Sequence, residues 1–563
     1  MAVILSLFAV RLIQLQGVDE NDYAALAAEK GAGTVVLEAP RAGIYDRNMV
    51  ALAESVEASK IVADPTVTHE DAVAIASVLR DRLGPDAIDY IDTVELLQKT
   101  STRYVVLARH IPPEKASRVV TFLHKSSFPG VYVDDDTTRA YPSGDVAANI
   151  VGFLTDDDFG AAGIESTYQD LLAGQDGSAT FQMADGQQLP LADSAVQEPE
   201  TGTGIQLTLD QDLQFLAQRR LAQAVEESGG LSGSAIVMDV KTGQILALAD
   251  VPTFDPNHRK LSPRENYGSR SIREVYEPGS VAKVLTFAAL LDGGYVTPRT
   301  KVTVPPTLTR SEETINDSFS HGTLRLTAAG VLAMSSNIGT VRAAEQMPKR
   351  EMYQYLRDFG LGSRTRVGLG GDTKGLITQP DTWLPITRAT MAFGQGMSVN
   401  VIQLAAGIAA VANGGVYVQP SLVSGFVDAD GQAQAAPVPD RRRVVSSKTA
   451  DQVAHMMEGV TSADGTAPDA GVEGYRVSGK TGTAQRVDDT CNCYDGSYTV
   501  SFAGFAPADE PRFVVYVVVQ RPSNGGSGGT TAGPVFRDLM AATLQKFGVP
   551  PTQTREPLLP FTW

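Results

Sequence analysis

In the second half of the chain, strongly apolar strands stand at both ends of a long helical stretch. Residues 231–250, LSGSAIVMDVKTGQILALAD, read as a β-hairpin that turns at Lys241-Thr242-Gly243. Nearly 250 residues later, YTVSFAGFAP (498–507) and RFVVYVVVQ (512–520) read as a second pair of strands, followed by a helix near PVFRDLMAATLQKFG (534–548). Strands this apolar need partners on both sides, and helices lie between the two pairs in the chain. The economical solution is one α+β domain, an antiparallel sheet with its helices packed on it. VDADGQAQAAPVPDRRR (427–443) reads as a further hairpin or surface insertion. The polar, turn-rich DSAVQEPETGTG (193–204) is the best candidate boundary before this domain.

The first half has a different texture. GTVVLEAPRAGIYDRNMVALAES (33–55) reads as a strand, a turn and a second strand. DAVAIASVLRDRLG (71–84) and PEKASRVVTFLHK (113–125) have helical periods, with a strand-like YVVLAR (104–109) between them. No cluster of His, Asp, Glu or Cys there has a catalytic pattern, so a structural or docking module is the reading. The 563 residues allow two to four domains. A net charge of −18 argues against a nucleic-acid partner. Two cysteines, Cys491 and Cys493, exclude a disulfide framework and do not make a metal site. They are either two small loop residues or an exposed disulfide. The apolar run at Ala2–Val10 is too short to span a bilayer. It is either an amphipathic helix or the outer end of a membrane anchor.

Three elements carry chemistry. In YEPGSVAKVLTFAALLDGG (276–294), Ser280 opens an apolar helix and Lys283 follows one turn later on the same face. Serine needs an adjacent base to act as a nucleophile, and a lysine serves if burial lowers its pKa. Alone the pattern is weak, since Ser-x-x-Lys arises by chance about once or twice in a chain of this length. In LTAAGVLAMSSNIGTVRAAEQM (326–347), Thr327 is a plausible helix N-cap, and Ser335-Ser336-Asn337 interrupts a helical pattern. Alone this is most simply a helix–helix turn. Functionally, the Ser335 hydroxyl could relay a proton and the Asn337 amide could orient the lysine and a substrate carbonyl. In GYRVSGKTGTAQ (474–485), Lys480, Thr481, Gly482 and Thr483 lie on a predicted strand. Lys480 and the threonine hydroxyls could bind a carboxylate, Gly482 could admit a substrate backbone, and the strand edge could offer an N–H to an oxyanion. Lys-Thr-Gly is also weak alone, because residues 241–243 repeat it in a hairpin turn.

In order and in context (helix start, helix break, strand) the three elements match the set shared by β-lactamases and penicillin-binding proteins, with Ser336 where that set has Asp. The chain resembles the class B penicillin-binding proteins, most closely the division-specific FtsI type of actinobacteria. The resemblance is carried by RAGIYDRN, IVADP, RAYPSGDVAANIVGF and GIESTYQDLLAG in the first half. In the second it is carried by YEPGSVAK, SSN, FGQG, GKTGTAQ, SFAGFAPADEPRFVVYVVV, the CNC pair and the ending LLPFTW.

This resemblance implies a truncated membrane anchor at 1–16 and a non-catalytic pedestal (dimerisation) domain at 17–195. A transpeptidase domain follows at 205–547, and a tail at 548–563. It implies a single-pass protein of the bacterial plasma membrane, with its catalytic domain outside and a polytopic glycosyltransferase and other division proteins as partners. It also implies a cofactor-free D,D-transpeptidase that cross-links peptidoglycan stem peptides and is inhibited covalently by β-lactams. Ser280 attacks the penultimate D-Ala carbonyl and Lys283 takes its proton. Ser335 passes a proton to the leaving amine, and Asn337 positions Lys283 and the substrate. The N–H groups of Ser280 and Thr483 form the oxyanion hole, and Lys480, Thr481 and Thr483 hold the terminal carboxylate. An elongation-specific relative remains an alternative. A β-lactam-hydrolysing enzyme is disfavoured by the extra N-terminal module and the lack of a Glu-x-x-Leu-Asn-like element, and a β-lactam sensor by the lack of a polytopic segment.

Overall fold

The computed structural model describes residues 32–184, 187–188, 195–488, 491, 493–552 and 557–563. The anchor expected at 1–16 lies outside them. Among the described residues no helix is long and apolar enough to cross a membrane.

The first half is built on β1 (Ile44–Tyr45), β2 (Ala51–Ala63), helix α1 (Ala72–Leu83), β3 (Val105–Ile111), helix α2 (Pro113–Lys125) and β4 (Val131–Ala140). The long β2 pairs antiparallel with both β3 and β4. The two helices bury Ile75, Leu79, Val119 and Leu123 against it in a separate small core. Over 33–55, where a strand, a turn and a second strand are expected, the pairing is more distant than that order suggests. Strand Ala32–Leu37 pairs instead with Gly177–Ala184 far along the chain, and only Ile44–Tyr45 pairs with β2. Between the two, residues 38–43 form neither strand nor turn.

Next come β5 (Gly204–Leu207), α3 (Gln211–Glu227), and the hairpin β6 (Ser232–Asp239) and β7 (Ile245–Val251). β5 pairs in parallel with β1. One sheet therefore runs through the boundary that the polar segment 193–204 suggests. The main core follows the same route, joining Ile44, Leu52, Ile150 and Ile164 from the first half to Ile236, Leu285 and Ile402 from the second. The two halves share a hydrophobic interior.

A single 3₁₀ turn, Gly279–Ala282, runs into α4 (Lys283–Asp292). After it come β8 (Lys301–Val304), β9 (Leu324–Thr327), α5 (Ala328–Ala333), α6 (Asn337–Ala344), α7 (Val401–Ala412), β10 (Val423–Val427) and α8 (Ser447–Glu458). The chain ends its main fold with β11 (Ser478–Asp488), β12 (Cys493–Ala506), β13 (Phe513–Gln520) and α9 (Gly533–Lys546). The remote strand pairs form the expected antiparallel sheet in the order β7-β6-β13-β12-β11. Ile236 faces both Leu248 and Tyr516 across the strands. α4 and α7 are mostly apolar and almost wholly buried, as core helices are. α3 and α9 cover the other face of the sheet with Leu213, Leu221, Phe536 and Leu539. Of the hairpin and the surface insertion that 427–443 suggests, a hairpin forms, with β10 paired to Ala433–Ala435. Lys241–Gly243 is a turn, with Gly243 at φ +74°. Cys491 and Cys493 are disulfide-bonded and exposed at the tip between β11 and β12.

Residues 557–563 return to the fold as a strap across the start of α5. The Phe561 carbonyl accepts from the Thr327 amide at 2.9 Å, and the Trp563 amide donates to the Arg325 carbonyl. The Trp563 ring packs under Lys301 and Arg325. Thr327 is the N-cap expected of it, accepting from the Gly330 amide at 3.0 Å, and its hydroxyl also donates to the Pro560 carbonyl at 2.6 Å. Gly330 leaves room for this strap, because a Cβ there would lie 2.0 Å from the Phe561 carbonyl oxygen. Gly330→Ala is therefore expected to lower the thermal melting midpoint, at a cost of about 1–3 kcal/mol typical of overpacking, although alanine is the better helix former. An unchanged or raised midpoint in a melting scan would show that the strap does not bear on α5.

Candidate active site

Three segments remote in sequence meet at one hydroxyl. Ser335 Oγ lies 2.7 Å from Lys480 Nζ and 3.4 Å from Lys283 Nζ. Lys283 opens α4, Ser335 sits in the break between α5 and α6, and Lys480 is on β11. The three motifs of the sequence thus converge.

Each segment has a local reason for its shape. Ser280 lies in the 3₁₀ turn, half-buried, with Gly279 at φ +54° before it. The Gly279 amide donates to the Gly394 carbonyl at 3.0 Å, so the FGQG segment backs the nucleophile turn. β11 is the edge strand of the five-stranded sheet, and the nucleophile turn packs beside it. A Cβ on Gly482 would meet Ser501 Oγ at 2.3 Å and Val281 Cγ2 at 2.9 Å. The glycine is thus required by packing within the chain as well as by any substrate. An edge strand leaves N–H and C=O groups unpaired, which suits it to hold an extended peptide or an oxyanion. Thr483 is exposed on this edge, whereas Thr481 is buried and within 3.1 Å of Thr466 Oγ1.

Ser335 has φ +59°. For a residue with a Cβ this costs about 1–3 kcal/mol, and the surroundings must hold it. Its carbonyl accepts from Lys283 Nζ at 2.6 Å, and Asn337 Oδ1 accepts from the same nitrogen at 2.7 Å. Ser336 has more to do than a spectator between two working residues. It is fully buried, caps α6 by accepting from the Gly339 amide at 2.8 Å, and donates to Asp317 Oδ2 at 2.7 Å. No sequence pattern marks Asp317, because TINDSFSHGT (314–323) has neither helical nor strand periodicity and bears no motif.

Lys283 and Lys480 are both wholly buried. Burial pushes the Lys283 amine down to about 7, against a smaller upward pull from the Asp317 charge. Burial pushes Lys480 well below the usual range as well, and the neighbouring Lys283 charge pushes it further. The Lys480 amine donates to Ser335 Oγ and to the Thr481 carbonyl at 3.0 Å, so it lies in the floor of the site. Among the described residues no group of His, Cys, Asp and Glu could hold a metal ion. The arrangement supplies a serine, a lysine able to be neutral near pH 7, and a hydroxyl bridging two amines. It is suited to acyl transfer through a covalent serine ester.

Residues 233–541 match the penicillin binding protein transpeptidase domain, and residues 36–207 match the penicillin-binding protein dimerisation domain. The chain is 35% identical over 586 residues to the penicillin-binding protein PbpB of Mycolicibacterium smegmatis, covering 97% of this chain and 89% of that one. The chain belongs to the class B penicillin-binding proteins. It is also 34% identical over 515 residues to the peptidoglycan D,D-transpeptidase FtsI of Escherichia coli, covering 91% and 84% of the two chains. A peptidoglycan synthetase structure from Bifidobacterium adolescentis superposes with a TM-score of 0.76 at 31% identity, covering 94% of this chain and all of that one. Penicillin-binding protein 3 from Mycobacterium tuberculosis, complexed with ampicillin, gives 0.74 at 31% identity with coverage of 94% and 100%. This penicillin-binding protein has the two-domain α+β fold of those structures.

A pH dependence follows from the buried lysine. If Ser280 is deprotonated by the neutral Lys283 amine, its acylation by ampicillin falls about tenfold per pH unit below about 7. The rate of adduct formation, followed by intact mass from pH 5 to 9, checks this. A flat profile would remove Lys283 as the base.

Proposed function

We propose that this chain is a peptidoglycan D,D-transpeptidase in which Ser280 is the acylated nucleophile, working in septal wall synthesis. The observation that carries the reading is the convergence of Lys283, Ser335 and Lys480 beside the Ser280 turn. The family membership and the relative named a peptidoglycan D,D-transpeptidase support it.

The donor stem peptide lies along the edge strand β11, its terminal carboxylate at the Thr481 and Thr483 hydroxyls with Lys480 beneath. Ser280 Oγ attacks the penultimate D-Ala carbonyl carbon, and its proton passes to Lys283 Nζ. The oxyanion forms opposite the N–H groups of Ser280 and Thr483. As the C–N bond breaks, the proton held by Lys283 reaches the departing D-Ala amine through the Ser335 hydroxyl. An amine of a second stem peptide then attacks the ester. Its proton returns to Ser280 by way of Lys283, restoring the free serine. Ser335 Oγ is placed for this relay because it contacts both amines. β-Lactams enter by the same attack and remain on the serine.

On this reading residues 17–195 form the pedestal, 205–547 the catalytic domain and 548–563 the tail. The septal role, a membrane anchor ahead of the pedestal and a polytopic glycosyltransferase partner rest on resemblance to the FtsI type. The decisive experiment is intact mass with peptide mapping after ampicillin. The wild-type protein is expected to carry one long-lived adduct on Ser280, and Ser280→Ala none. Fast turnover of the adduct would point to a hydrolase, and labelling that persists in Ser280→Ala would refute the nucleophile.

A further inference from the structure

Ser335 is held left-handed by groups that lie outside the three motifs. Asp317 stands directly beneath the turn with no exposed side-chain surface. Its Oδ2 accepts from Ser336 Oγ at 2.7 Å and lies 3.0 Å from His321 Nε2, and its Oδ1 accepts from the Ile338 amide at 3.0 Å. The preceding residue completes the cradle. The Asn316 carbonyl accepts from Asn337 Nδ2 at 3.0 Å, which turns Asn337 Oδ1 toward Lys283. Residues 316–317 therefore grip the turn immediately after Ser335, at Ser336, Asn337 and Ile338. Where the Ser-Asp-Asn form of this element has an Asp in its middle position, this chain has Ser336, bonded to a carboxylate 19 residues upstream.

A carboxylate suits this place better than an amide. The Ile338 N–H and the Ser336 hydroxyl both donate, one to each oxygen, and an amide would turn a donor on one of them. The charge matters too. Asp317 is the anion acting on Lys283, with Lys480 the other charged group beside that amine.

We propose that Asp317 is a positioning residue for acyl transfer, holding the Ser335-Ser336-Asn337 turn in its left-handed form and supplying a negative charge that acts on the Lys283 amine. The proposal rests on the assignment of Ser280 and Lys283 made above. Asp317 touches neither substrate nor nucleophile. It acts through Ser336 and Asn337 on geometry, and through space on the Lys283 amine.

The test measures the second-order rate of ampicillin acylation from pH 5 to 9 in Asp317→Asn and Ser336→Ala. Asp317→Asn is expected to slow acylation at pH 8 by about tenfold or more, since small misplacements of reacting groups have costs of that order. It is also expected to move the acidic limb to lower pH, because removing the anion lowers the proton affinity of Lys283. Ser336→Ala is expected to slow acylation with the limb unmoved. His321 is the other titratable group on Asp317, so the limb shift must persist in a His321→Gln background. An Asp317→Asn rate and limb equal to wild type would overturn the proposal, and a slower rate with an unmoved limb would overturn its electrostatic part. If Asp317→Asn does not fold, an unimpaired Ser336→Ala still overturns the positioning. A wild-type protein that forms no adduct on Ser280 would instead sink the proposed function.

Discussion

Two buried lysine amines share one hydroxyl, and charging both at once is costly. Lys283 and Lys480 both reach Ser335 Oγ, so their nitrogens lie within about 6 Å, where two unit charges repel by about 3 kcal/mol at an effective dielectric near 20. Burial adds its own penalty on each charged form. Both effects lower the proton affinity of the pair, and Lys283, held at about 7, stands on the helix that begins at the Ser280 turn.

Keeping that pair dry and close takes most of the catalytic half. Lys283 is carried by a helix buried on every side, so its amine has no route to solvent through its own helix. Lys480 is carried by the edge strand of a sheet assembled from hairpins nearly 250 residues apart. Ser335 is set between them by a backbone conformation that is unfavourable in isolation. It persists because its neighbours are bound to Asp317, Asn316 and the helix cap at Ser336. The helix leading into that break is itself braced, since residues 557–563 lie across its start at Thr327 and Gly330. Strain at the centre is sustained by over-determined contacts around it.

Much of this was legible in the residues. The apolar hairpins named the sheet, and the order Ser-x-x-Lys, Ser-x-Asn, Lys-Thr-Gly named the chemistry, because each pattern fell in the local context its chemistry needs. The N-cap at Thr327 and the hairpin turn at Lys241–Gly243 are legible because capping and turn geometry are local. The pairing of strand 32–37 with 177–184 was not legible, since its partner lies across the whole first half of the chain. Nor was the role of Ser336 or of Asp317. Both depend on a loop without periodicity arriving under a helix break.

The sequence by itself determined which groups this protein has to work with and the class of fold that carries them. A serine one turn before a lysine, a polar break in a helix and a Lys-Thr-Gly strand are local facts that patterning exposes. Tertiary structure alone decided that Lys283 and Lys480 are buried together, that Asp317 lies under the Ser336 turn, and that the two halves share one sheet and one core. The reason is physical. Proton affinity depends on burial and on charges a few ångströms away, and strand pairing depends on which edges meet in space. Neither quantity is a property of any short stretch of chain.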